Sequence, residues 1–234
     1  MIVRPHQDQW LLITQPDHAA LSARIMESWT ARGLPWHPRR EIILLATKEH
    51  DGGWADVDES PVVDPATGEI LDFVHAPESI RQKVWPRSVE RLDAEPYAAA
   101  LVAQHAITVY RDHRAKPGWV RFFAEMEELR YRYLSRTPHA LETLIADYQF
   151  VRLGDLVSLL FANHWVNPRI EGDHTIRVGT GQVIVSPDPF DGAHLPFTLS
   201  GRLLASRTYN DAADAAGAFA AAPFVELVGT AYGQ

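Results

Sequence analysis

Lys48-Glu49-His50-Asp51-Gly52-Gly53-Trp54 brings two ionisable side chains to the end of a helical stripe made by Ile42, Leu45, Ala46 and Glu49. Pro38 suits the opening of that helix and the Gly52-Gly53 pair its end. A carboxylate buried without a partner is so costly that it takes up a proton or finds a cation. An inward-facing Asp51 beside an inward-facing His50 therefore asks for positive charge from somewhere else in the fold.

Outward from this doublet, the same conflict recurs on other helices. His18 lies three and seven residues before Leu21 and Ile25, on a helix that Asp17 is expected to cap and that runs to about Arg32. His105 is flanked at helical spacing by Leu101 and Val109 on a helix expected over 96–113. Asp155 sits within the apolar run 153–161, on a helix expected from about Thr137 to His164, with Gly154 as a candidate bend. Between them, Phe122, Phe123, Met126, Leu129 and Tyr133 mark a further amphipathic helix, while 56–81 reads as a long loop. Singly, each residue has a plainer reading. His18 and His105 suit satisfied core histidines, Asp155 suits a pair with Arg152, and His50-Asp51 suits a helix terminus. Together, three histidines and two aspartates aimed inward from different helices solve one another's problem by sharing a divalent metal.

Composition narrows the chemistry. The 234 residues include no cysteine, which excludes thiolate metal sites, disulfides and thiol nucleophiles, so a metal here sits on nitrogen and oxygen. Such donors suit Mn, Fe, Mg, Ni, Co or Zn, as one or two ions. The 22 Lys and Arg against 30 Asp and Glu give a net charge of -8, which disfavours general nucleic-acid binding. No apolar run reaches the length of a signal segment or a membrane span, so a cytoplasmic protein without membrane contact is expected. After Trp165 the pattern alternates, with strands expected over 175–178, 182–185, 197–204 and 224–228 and a short alanine-rich helix capped by Asn210 or Asp211. The expected fold is mainly α: a helical domain over 1–165 and a small β-rich extension over 166–234, which an N-terminal strand within 2–14 can join.

The order His18, His50-Asp51, Asp155 on successive helices resembles the HD-domain metal-dependent phosphohydrolase superfamily. His18 matches its first histidine, His50-Asp51 its doublet and Asp155 its terminal aspartate, and His105 stands where two-metal members add a histidine. The resemblance implies an HD-like helical bundle. More closely, nearly the whole chain is similar to a bacterial domain-of-unknown-function family with HD-like helices. The segments that carry this are Trp-Leu-Leu-Ile-Thr-Gln-Pro-Asp-His from Trp10, Glu-His-Asp-Gly-Gly-Trp from Glu49, Thr-Gly-Glu-Ile-Leu-Asp-Phe from Thr67 and Ser-Pro-Asp-Pro-Phe from Ser186.

The superfamily resemblance implies metal-dependent hydrolysis of a phosphoester, such as a nucleotide or small phosphorylated metabolite, with Asp51 and His105 in catalytic positions. A small-molecule substrate would meet Trp54, Asp58, Arg81 and Arg130, the cations receiving phosphate charge. Two other functions fit the same ligands: a di-iron oxygenase resembling the inositol-oxygenase branch, and a non-catalytic, metal-stabilised binding module. No phosphate loop, nucleophile elbow or dinucleotide fingerprint is present.

Overall fold

The computed structural model describes residues 1–234. The chain opens with β1 (Ile2–His6) and β2 (Gln9–Ile13) and then enters its helices. These are α1 (Gln15–Glu27), α2 (Arg40–Glu49), α3 (Ala55–Asp58), α4 (Glu78–Glu90), α5 (Pro96–Val109), α6 (Val120–Leu134) and α7 (Leu141–Asn163). It closes with β3 (Arg169–Glu171), β4 (His174–Gly179), β5 (Gln182–Ser186), β6 (Leu195–Ala205), α8 (Ala212–Ala221) and β7 (Phe224–Gly233).

The expectation of a helical bundle with a small β extension is corrected by the sheet. All seven strands form one curled, mixed sheet in the order β1-β2-β6-β7-β5-β4-β3, about 20% of a chain that is 50% helical. The N-terminal hairpin is built into it: Gln9 lies opposite Ala205 and Leu12 opposite Arg202. Only the β5–β7 pair is parallel. Alternation along a strand reveals that a strand exists, but not which distant strand accepts its hydrogen bonds.

Both faces of the sheet are covered where β2 runs, which is why Leu11, Leu12 and Ile13 are all buried. Leu11 and Ile13 join the main core with Phe197 and Leu199, while Leu12 joins a smaller one with Leu204, Tyr209 and Phe219 on the α8 side. Burying side chains of this size contributes about 1.5–3 kcal/mol each. α1 and α7 pack against the inner face, α1 on β6 and α7 on β1, β4 and β5, and α2 packs on both helices.

Several boundaries differ from the sequence reading. Thr14, not Asp17, caps α1: its hydroxyl accepts the Asp17 N–H at 3.1 Å, and the helix stops at Glu27. The buried residues of α2 are Ile43, Leu44, Ala46 and Thr47, followed by the buried His50 at its C-terminal cap, with Ile42 and Leu45 only partly covered. Val109 is exposed instead of packed. α4 arises where no helix was expected, with Pro86 inside it.

Two glycines set helix spacing. Gly53 donates its N–H to Ser88 Oγ at 2.8 Å, and a Cβ there would lie 2.0 Å from the Val84 carbonyl oxygen, so the doublet's turn can lie against α4 only as glycine. α7 passes Gly154 as one continuous helix, and a Cβ there would meet Met26 of α1 and Thr47 of α2 at 2.7 and 2.9 Å. No helix is long and apolar enough to cross a membrane.

Candidate metal centre

The close approach at Gly154 brings α1, α2 and α7 together one residue before Asp155. His18, His50, Asp51 and His105 are buried, and Asp155 is nearly so. Their polar ends meet. Asp51 Oδ2 is 2.9 Å from His18 Nε2 and 3.4 Å from His50 Nε2. Asp155 Oδ1 is 3.4 Å from His50 Nε2 and 3.8 Å from His18 Nε2, and its Oδ2 is 3.6 Å from His105 Nε2. Ligand atoms about 2.0–2.2 Å from one ion lie roughly 3–3.5 Å from their neighbours, so these separations fit a shared cation.

The outer partners fix which nitrogen faces inward. His50 Nδ1 lies 2.7 Å from the Thr47 carbonyl, which only accepts, so Nδ1 carries a proton. Ser158 Oγ donates to the His18 carbonyl at 2.6 Å and therefore accepts from His18 Nδ1 at 3.1 Å. His105 Nδ1 makes a hydrogen bond with the Tyr148 hydroxyl at 3.1 Å, in which either group can donate. All three rings are held from behind at Nδ1 and turn Nε2 toward two carboxylates. Metal-bound histidines are oriented by outer hydrogen bonds in this way.

In their neutral forms these rings would set nitrogen lone pairs against carboxylate oxygens, so the cluster needs positive charge. Among the protein groups, burial pushes the His50 imidazole down, but Asp51 and Asp155 outweigh it and hold its pKa well above the ordinary value. Burial likewise opposes the ionised Asp51 and Asp155, yet the histidines hold both carboxyls below their usual range. Burial dominates at His105 and lowers it to about 4. His50 Nε2 and Asp51 Oδ1 are buried without hydrogen-bond partners. Two carboxylates balance a divalent ion, the orphaned His50 Nε2 gives it a donor, and Asp51 Oδ2 already lies among the inward-facing nitrogens, so the residues present fit a metal.

Residues 1–206 match the family described as "Protein of unknown function (DUF3891)". The chain belongs to this family. Searches of curated proteins and of solved structures return no match. The DUF3891 match takes in all five candidate ligands and ends after β6, before α8 and β7.

In this DUF3891 chain the cluster forms the floor of a pocket of about 230 Å³, reached by Asp51, His105 and Asp155 and walled by Trp54, Phe73, Trp85 and Tyr110. Trp54 is both a core residue and a pocket wall. Arg81 of α4 is in the pocket lining, its guanidinium 5.5 Å from the Trp119 ring and its Nε without a partner. Two other sequence candidates lie elsewhere. Asp58 is buried against the Met1 nitrogen at 2.7 Å and accepts the Gln15 N–H at 2.6 Å. Arg130 is tied to Gln104 across α5 and α6.

Sequence reasoning missed Ser158 and Tyr148 as outer partners, and Trp85 and Tyr110 as walls. Ser158 had a usable signal, since it lies three residues after Asp155 and so shares its helix face. Trp85 had none, because α4 was not expected, and Tyr110, inside the helix expected over 96–113, lies off the face of Leu101, His105 and Val109.

Proposed function

We propose that the chain binds one divalent metal through His18, His50, Asp51 and Asp155, with His105 beside it, and hydrolyses a phosphoester. The observation that carries this reading is the convergence of three Nε2 atoms, each ring anchored at Nδ1, on two carboxylates at the floor of a pocket. The order of these residues along the chain resembles that of the HD-domain phosphohydrolases, and the choice of reaction class rests on that resemblance. The two possible donor groups, His18-His50-Asp51 and His50-His105-Asp155, share His50, whose Nε2 has one lone pair and serves one ion. Two imidazole ligands favour Mn, Fe, Co, Ni or Zn over Mg.

When bound, such an ion polarises the phosphoryl oxygen and makes water a better nucleophile at neutral pH. The protein groups do the rest. Asp51 Oδ1, free of other partners, accepts a hydrogen bond from the attacking water and aims it. Arg81 receives phosphoryl charge from the side, and the aromatic wall excludes bulk water. The water oxygen bonds to phosphorus as the ester P–O bond breaks. One water proton stays on the phosphate and the other ends on the leaving oxygen.

The test is metal analysis of purified protein, followed by a phosphoester screen with Mn, Co, Ni or Zn beside the Asp51→Asn variant. One equivalent of metal is expected, with hydrolysis lowered at least about 100-fold in the variant while it stays folded. Two irons with visible absorption would replace the proposal by the oxygenase reading. A folded protein that takes up no metal would reduce it to a binding module.

A further inference from the structure

The pocket's own chemistry limits what can occupy it. Apart from Gln15, Arg81 and His113, the side chains around the His/Asp cluster are apolar or aromatic, and Val74 and Val109 line the pocket while standing 46% and 48% exposed at its rim. Large apolar side chains left open at the mouth of a pocket suit an apolar body, because polar groups brought there lose water without gaining partners. The volume of about 230 Å³ falls below the roughly 300–1,000 Å³ of pockets for drug-sized ligands.

Charge points the same way. Asp51 and Asp155 offset a divalent ion, which leaves Arg81 as the one uncompensated cation of the lining. Burial and nearby cations push His113, also in the lining, below its ordinary value, so it adds little charge at neutral pH. A phosphomonoester brings a charge of about -1.5 to -2, of which this wall can offset part. A second anionic group would meet apolar surface and no cation.

We propose that the pocket takes a phosphomonoester carrying one small, apolar, aryl-sized group and no second charge. The phosphoryl end goes to the floor beside Arg81, and the apolar ring lies against Trp54 and Trp85 with its far end held between Val74 and Val109. This rests on the phosphoester reading above and adds the substrate class to it.

The test uses protein saturated with Mn²⁺ and three non-hydrolysable probes, with binding read by calorimetry and by the fluorescence of the pocket tryptophans. Phenylphosphonate should bind about 10-fold or more tighter than methylphosphonate, because only the former covers the apolar wall. 4-Phosphonobenzoate, which adds a carboxylate at the far end of the ring, should lose at least about 10-fold against phenylphosphonate. Arg81→Gln should weaken phenylphosphonate and methylphosphonate alike. Val109→Asn should weaken phenylphosphonate several-fold and leave methylphosphonate unchanged. Equal binding of phenyl- and methylphosphonate, or undiminished binding of 4-phosphonobenzoate, overturns the substrate class and leaves the phosphoester reading standing. Metal uptake with no phosphonate bound at all overturns both.

Discussion

Ser158→Ala removes one oxygen and tests whether the histidines are held for metal or merely packed. Ser158 Oγ joins two ends of His18, accepting from Nδ1 and donating to the carbonyl. The residue is fully buried, so no water replaces the hydroxyl, and the Nδ1–H is left unsatisfied at a cost of about 1–3 kcal/mol. At roughly 2–4 °C per kcal/mol for a chain of this size, a 2 kcal/mol loss lowers the metal-free Tm by about 4–8 °C. The loss of metal affinity should be larger in consequence, because outer hydrogen-bond partners are worth about 10–100-fold in binding. With metal at about 100 times the wild-type Kd, the wild type gains about 2.7 kcal/mol; a variant binding 100-fold more weakly gains about 0.4. The metal-induced rise in Tm then shrinks from roughly 5–11 °C to 1–2 °C. Chelator competition and paired melting curves read the two effects separately. A lowered metal-free Tm with an unchanged metal-induced rise would mean that Ser158 only fills the core, and the tautomer argument would fail.

Three further outcomes follow from the same geometry. Gly154→Ala gains about 1 kcal/mol of helix propensity but forces a Cβ against Met26 and Thr47, so a net loss of up to about 2 kcal/mol is expected in urea unfolding, with weaker metal binding as α1 shifts. Metal must displace the proton that Asp51 and Asp155 hold on His50. Affinity should therefore fall about tenfold for each unit of pH lost below the raised His50 pKa, and calorimetry in buffers of different ionisation enthalpy should count one proton released; pH-independent binding would show the ring already neutral. His105→Ala should retain one equivalent of metal and lose at least about 10-fold in hydrolysis, whereas loss of the ion would make His105 a primary ligand.

The His/Asp cluster was legible because it rests on local periodicity. His18, His50, His105 and Asp155 each occupy an apolar helix face, and a residue that breaks its own face announces itself without knowledge of the partner helix. The sheet was not legible in the same way. Trp10 to Ile13 reads as a strand, yet its partner is β6, at the other end of the chain, and no local pattern encodes that pairing. α4 escaped notice because Ile80, Val84, Trp85 and Val89 are spread among charged residues and interrupted by Pro86, a weak stripe that only tertiary packing turns into a helix. The substrate candidates fared unevenly for a related reason. Arg81 reaches the pocket because α4 crosses the doublet's turn, whereas Asp58 is drawn off by the Met1 nitrogen and Arg130 by Gln104.

The pairing of β2 with β6 also sets a timetable for folding during synthesis. The β1–β2 hairpin is made first, and an isolated hairpin is marginally stable at best in water. At about 5–20 residues per second, the ribosome needs roughly 10–40 s to reach β6 after finishing β2. Throughout that interval Leu11, Leu12 and Ile13 lack the β6 strand that completes their burial. All five candidate metal donors lie before residue 163. The five candidate donors have therefore all been synthesised while the sheet is still a hairpin waiting for its neighbour.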